Sequence, residues 1–140
     1  MKIRMLHRVL AAVATGVLAS ALLAAPSHAV VLDGNCEFLE GYIYKNASFA
    51  DGGVRDTSSD MSNYSGYNFT YGCALFCGLN DAVSSVRNKK DASMYLFEHS
   101  FGGGGQVWVS AQWTKSSLGD LNDELSSHCW WFTSRPSWCL

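Results

Sequence analysis

Leu79-Asn80-Asp81-Ala82-Val83-Ser84-Ser85 and Leu121-Asn122-Asp123-Glu124-Leu125-Ser126-Ser127 are two copies of one phrase, Leu-Asn-Asp-x-aliphatic-Ser-Ser, set 42 residues apart. Five identities in register arise by chance in roughly one chain of this length in a hundred. The phrase therefore marks an internal repeat with a period of about forty residues, and the stretches upstream of each copy should match as well.

They do. Upstream of the first copy, Tyr42-Ile43-Tyr44 alternates aromatic and aliphatic residues, passes through Phe49 and reaches Asp51-Gly52-Gly53. Upstream of the second, Met94-Tyr95-Leu96-Phe97-Glu98-His99-Ser100-Phe101 runs into Gly102-Gly103-Gly104-Gly105, and Gln106-Val107-Trp108-Val109 alternates again. Period-two patterning ended by glycine predicts a strand and a hairpin. Each repeat thus reads as aromatic strand, glycine corner, second strand, loop, phrase and final strand. After residue 30 no apolar pattern holds a 3.6-residue spacing for three turns, so the expected fold class is all-β, a sandwich with Greek-key connections.

The copies differ in length. Phe49 to Asn80 spans 31 positions and Phe101 to Asn122 spans 21, which places about ten extra residues within 57–78 of the first copy. That segment carries Tyr64, Tyr67, Phe69 and Tyr71 and ends in Cys73-Ala74-Leu75-Phe76-Cys77. It is too aromatic for a disordered linker, and a long insertion in a compact fold is commonly functional. Beyond the second phrase come Cys129, Trp130, Trp131, Phe132 and Trp138, read as a closing strand packed into the sandwich, with an adhesive aromatic patch as the alternative.

Residues 1–29 have the form of a secretory signal peptide. Lys2, Arg4, His7 and Arg8 make a basic start, residues 9–25 are apolar or small, and Ser27-His28-Ala29 offers a small-x-small cleavage site. The expected mature chain, 30–140, has room for one domain and carries no membrane segment. Loss of the leader leaves seven basic against twelve acidic residues, a formal charge of −5. An acidic chain without a Lys/Arg cluster is a poor nucleic-acid ligand, and Arg87-Asn88-Lys89-Lys90 reads as a solvated turn. Cys36, Cys73, Cys77, Cys129 and Cys139 all fall in the mature part, where export favours disulfides over zinc. Any of the five can be left over, and the other four pair in three ways.

The aromatic corner, Tyr/Phe-x-x-x-x-Phe-x-Gly, followed by Asn/Asp-Asn/Asp-x-x-Ser/Thr-Ser, resembles the Greek-key motif of the βγ-crystallin superfamily. The run Leu79-Asn80-Asp81-Ala82-Val83-Ser84-Ser85-Val86-Arg87-Asn88 is similar to the bacterial secreted peptidase-inhibitor family built on that fold, whose founding activity is inhibition of metalloproteinases. The resemblance spans roughly 36–131, with one Greek key at about 36–90 and the other at about 91–132. If Tyr44 is the corner tyrosine, the first corner glycine, Gly52, comes one position late; the second corner fits if Leu96 fills the aromatic place or if one residue is lost after Phe97.

The resemblance implies two kinds of site. In the superfamily the two phrases lie side by side and share calcium ligands, which by position are the side chains of Asp81, Ser84, Asp123 and Ser126 and the backbone carbonyls of Ala82 and Glu124, with corner carbonyls near Lys45 and Glu98. All are oxygen donors suited to a hard cation, although Asp and Ser in such turns also bond the backbone without any metal. An inhibitor needs a rigid, protruding loop, and the insertion supplies one candidate, Leu75 and Phe76 inside a Cys73–Cys77 ring; the alternative is an edge strand with the cysteines paired elsewhere. The expected partner is an extracellular protease, met by a monomer. No His-Glu-x-x-His, Gly-x-Ser-x-Gly or phosphate-loop signature is present, and His99 and His128 lack motif partners, so the reading is non-enzymatic. The competing reading is a calcium-binding extracellular protein without inhibitory activity.

Overall fold

A computed structural model of the chain describes residues 32–75, 77–132 and 134–139. The expected leader and Phe76 lie outside the described residues. The described residues form seven short strands, β1 (Gly41–Tyr44), β2 (Val54–Thr57), β3 (Ser85–Asn88), β4 (Met94–Phe97), β5 (Gln106–Val109), β6 (Thr114–Lys115) and β7 (Ser127–Trp130), with 3-10 turns at Ala47–Phe49, Ser100–Gly102 and Gly119–Leu121.

All pairings are antiparallel. One sheet has the order β2-β1-β3-β6 and the other β5-β4-β7. The order contains an exchange that periodicity does not reveal. β6 belongs to the second repeat yet pairs with β3 of the first, Val86 opposite Lys115. In return, Met61 of the first repeat bridges His128 of β7 through reciprocal N–H···O bonds of 2.9 Å. Each sheet is completed by the other copy, so neither can be removed without opening the core.

The core lies between the sheets and is built by alternation. Ile43, Val86, Leu96, Val107 and Val109 point inward from their strands, joined by Met94, Val83, Leu125 and Trp130. Burial at roughly 25 cal/mol per Å² makes this layer the main source of stability. Gly41 has no side chain because Trp130 occupies its place: a Cβ there would stand 2.6 Å from the indole ring.

The insertion is now located. Twenty positions separate Met61 from Asp81, against eight from the equivalent Lys115 to Asp123. The extra residues send Tyr64 and Phe69 into the core and pair back on themselves, Asn68 with Gly78, and onto β2, Val54 with Tyr71.

Two expectations are corrected. Arg87-Asn88-Lys89-Lys90 is not a solvated turn. Arg87 and Asn88 end β3, and buried Asn88 donates to the carbonyls of Ala92, Val109 and Ser110 at 2.8–3.1 Å. Lys90 is buried too, its ammonium 4.5 Å from the Trp130 ring centroid. Of the closing aromatics, only Trp130 enters the main core. Trp131 is exposed beneath the Arg135 guanidinium, and Trp138 packs on Phe97 and the Cys129–Cys139 bridge, over the outer face of the second sheet.

Candidate functional site

The two Asn-Asp-x-x-Ser-Ser phrases meet, and their bonds repeat under exchange of the copies. The Asp81 N–H donates to the Leu125 carbonyl and the Asp123 N–H to the Val83 carbonyl, both at 3.0 Å. The Ser126 hydroxyl donates to Asp81 Oδ1 and the Ser84 hydroxyl to Asp123 Oδ1, again both at 3.0 Å. The second carboxylate oxygens accept from the amides of Asn80, at 2.6 Å, and Asn122, at 2.8 Å. Asp81 and Asp123 hold φ of 52° and 58°, left-handed values that Asp tolerates better than most residues. That accounts for an acidic residue at this turn position even without a ligand.

Ser85 and Ser127 were not among the expected site residues, yet they set the site's geometry. The Ser85 hydroxyl donates to the Asn46 carbonyl and the Ser127 hydroxyl to the His99 carbonyl, both at 2.7 Å. Each also accepts a corner N–H, from Phe49 at 3.1 Å and Gly102 at 3.3 Å. The last serine of each phrase therefore ties the turn to its own corner. Their strict repetition in both phrases was the signal that could have found them. The corners align with Tyr44 opposite Phe97, whose carbonyls accept the Ser84 and Ser126 N–H groups at 2.9 Å. The Lys45 N–H reaches the Gly53 carbonyl, and the Glu98 N–H reaches that of Gly105, so the second corner is one residue shorter. Ser48, not Phe49, is then the counterpart of Phe101, and both have φ of 57°.

A groove lined by Lys45, Asn46, Ala47, Asp81, Ala82, Ser84, Asn122 and Asp123 opens where the first corner faces the second phrase. Its donors are one carboxylate pair, a hydroxyl and carbonyls. The carbonyl of Ala82 within the groove, and that of Glu124 outside its lining, accept no hydrogen bond among the described residues. This oxygen set fits a hard cation, which would replace the serine-to-aspartate bond. Among the described residues, no three His, Cys, Asp or Glu side chains converge as a metal cluster.

The insertion forms the second candidate. Cys73 pairs with Cys77, and Cys129 with Cys139, leaving Cys36 unpaired. The five-residue ring rises from a supported base: the Val54 N–H donates to the Tyr71 carbonyl at 2.8 Å, the Phe69 N–H to the Cys77 carbonyl at 2.7 Å, and Cys73 packs against the core. Leu75 stands 76% exposed at the tip. The start of the insertion is fastened by His128, which is fully buried. Its Nε2 lies 3.0 Å from the Ser59 carbonyl, which can only accept, so Nε2 carries the proton and Nδ1 accepts from the Tyr64 hydroxyl at 2.9 Å. Burial holds the imidazole neutral, with its pKa lowered to about 3. Without solvent access, His128 serves as a cross-link between the insertion and β7.

Among the described residues no helix is long and apolar enough to cross a membrane. No protein-family model and no curated protein matches the sequence. Solved structures do match. A βγ-crystallin from Ciona intestinalis aligns with TM-score 0.53 and 18% identity over 66% of this chain and 99% of that one. Spherulin 3a from Physarum polycephalum aligns with TM-score 0.52 and 24% identity over 72% and 91%. A structure bearing on the evolution of the eye-lens βγ-crystallin domain fold aligns with TM-score 0.59 and 22% identity over 72% and 93%. No catalytic family is indicated by these neighbours. Two interlocked Greek keys, the paired serine-bound turns and these alignments together give the chain the βγ-crystallin fold.

Proposed function

We propose that the protein is a secreted proteinase inhibitor, directed at metalloproteinases, that presents the Cys73–Cys77 ring to its target. The observation that carries this reading is Leu75, 76% exposed at the tip of a disulfide-closed loop whose base is bonded to β2 and anchored in the core. A loop already fixed in one shape loses little entropy on binding, and an exposed leucine suits the apolar specificity pocket of a thermolysin-like enzyme. The leader-like N-terminus and the two bridges support an oxidising, extracellular setting. The direct test is titration of the protein against a thermolysin-like metalloproteinase and a serine proteinase. Stoichiometric inhibition of the first supports the proposal, and inhibition of neither overturns it.

A second reading, calcium binding at the paired turns, is favoured by the reciprocal Asp81–Ser126 and Asp123–Ser84 contacts. A melting temperature higher in millimolar calcium than in chelator, with the difference abolished in the Asp81→Asn/Asp123→Asn variant, supports it. Identical melting in calcium and in chelator sinks it.

A further inference from the structure

The outer face of the first sheet holds three side chains that are buried with oxygens no hydrogen bond satisfies. Glu40 is 0% exposed and neither carboxylate oxygen has a partner; Asp56 is 0% exposed with Oδ1 unpartnered; Tyr42 is 2% exposed with an unpartnered hydroxyl. Tyr42 and Asp56 face each other across β1 and β2. Glu40 precedes Tyr42 by two residues in extended chain, which puts it on the same face. Its carbonyl continues the pairing with β3 by accepting the Lys89 N–H at 2.8 Å. Asp56 Oδ2 accepts the N–H groups of Asp33 and Gly34 at 2.8 and 3.3 Å, which draws the 33–34 segment against this face and leaves Oδ1 over.

The charges around the three oxygen groups are mixed but do not pair with them. Asp33 and Glu37 add negative potential at Glu40. Arg87 of β3 lies across from Tyr42, and Lys89, one residue past β3, lies across from Glu40, yet among the described residues neither forms an ion pair with Glu40 or Asp56. The Arg87 guanidinium sits over the Phe49 ring, 4.2 Å from its centroid. Burial raises the pKa of the Glu40 carboxyl, a pull that the nearby Glu37 backbone N–H opposes.

An unpartnered buried carboxylate is among the costliest groups a fold can contain, and unsatisfied buried polar atoms in a native protein call for an ion or a water. Here the unsatisfied atoms of Glu40, Asp56 and Tyr42 are all oxygens and two of the groups are carboxylates. We propose that Glu40, Asp56 and Tyr42 form a binding site for a hard divalent cation of the calcium type, separate from the two Asn-Asp turns. Calcium accepts irregular sets of carboxylate and neutral oxygens and completes them with carbonyls and water. The site goes beyond the paired-turn reading and does not rest on it.

The experiment uses the whole protein with calcium chloride as the probe, in the Asp81→Asn/Asp123→Asn background, where Asn keeps the left-handed turns and removes the turn carboxylates. Calcium at tenfold above its dissociation constant should raise the melting temperature of that variant by about 5 °C relative to chelator. Adding Glu40→Gln, which is isosteric and removes a buried charge, should abolish the shift while the chelator melting temperature holds or rises. Tyr42→Phe should weaken calcium binding without abolishing it. A variant with intact Glu40 that shows no calcium shift overturns the site, as does a shift that survives Glu40→Gln. Calcium dependence that disappears with the turn aspartates and ignores Glu40→Gln supports the turn reading while refuting this one.

Discussion

The first and second Greek keys share their turns and differ in everything that joins those turns to the strands before them. The bonds of Asp81, Ser84 and Ser85 match those of Asp123, Ser126 and Ser127 almost distance for distance. Between Met61 and Asp81, however, the first copy carries a disulfide-ringed excursion where the second has a short 3-10 turn at Gly119–Leu121. The difference teaches where the fold tolerates novelty. The exchanged strands and paired turns are constrained by both sheets at once, whereas the connector is constrained only at its ends, so new surface accumulates there.

The largest effect that tests this contrast is acid sensitivity. His128 occupies the position of Val86 in the other copy and fastens the insertion through Tyr64. Its pKa is about 3 in the folded chain against about 6.5 unfolded. Between those values the unfolded state binds the extra proton, so stability is intact above pH 6.5 and falls as the pH drops, by about 1.4 kcal/mol per unit and about 4 kcal/mol by pH 3. Urea melts across that range should show the slope, and His128→Val, which restores the likeness to the first copy, should remove it while costing about 2 kcal/mol for the orphaned Tyr64 hydroxyl.

Next come the bridges. The chain-entropy relation gives about 3 kcal/mol for the longer Cys129–Cys139 loop and about 2 kcal/mol for the Cys73–Cys77 ring. Paired serine substitutions compared by denaturant unfolding should preserve that order. If removing the ring costs more than removing the tail bridge, the ring supports the fold and is more than a display element.

The smallest effect is a test of sameness. Ser85→Ala and Ser127→Ala each strip one corner carbonyl and one corner N–H of their partner and should each cost about 1.5 kcal/mol. Near-equal losses support the pseudo-symmetry; costs differing by more than about 1 kcal/mol break it.

How much of this was legible in the sequence follows the same division. The turns were, because a left-handed backbone and two bonded hydroxyls demand Asn-Asp and Ser-Ser wherever they occur. The strands were, because Tyr42-Ile43-Tyr44 and Gln106-Val107-Trp108-Val109 alternate strictly. The exchange of β6 and Met61 between sheets was not, since two-residue pairings leave no periodic trace. Arg87-Asn88-Lys89-Lys90 misled because charge alone marks solvent. Asn88 is buried by three carbonyls it satisfies, and Lys90 by aromatic rings that cover its stem. The cysteine pairing was closed to combinatorial reading, and Glu40 gave no signal because its isolation arises only when β1, β2 and the 33–34 segment come together.

The claim that function resides where the copies disagree is tested most directly by titrating a thermolysin-like metalloproteinase with the wild type and with the Leu75→Ala/Phe76→Ala variant. The expected result is one-to-one inhibition by the wild type, weakened at least thirtyfold, about 2 kcal/mol or more, in the variant at an unchanged melting temperature. Equal inhibition by both proteins would contradict it.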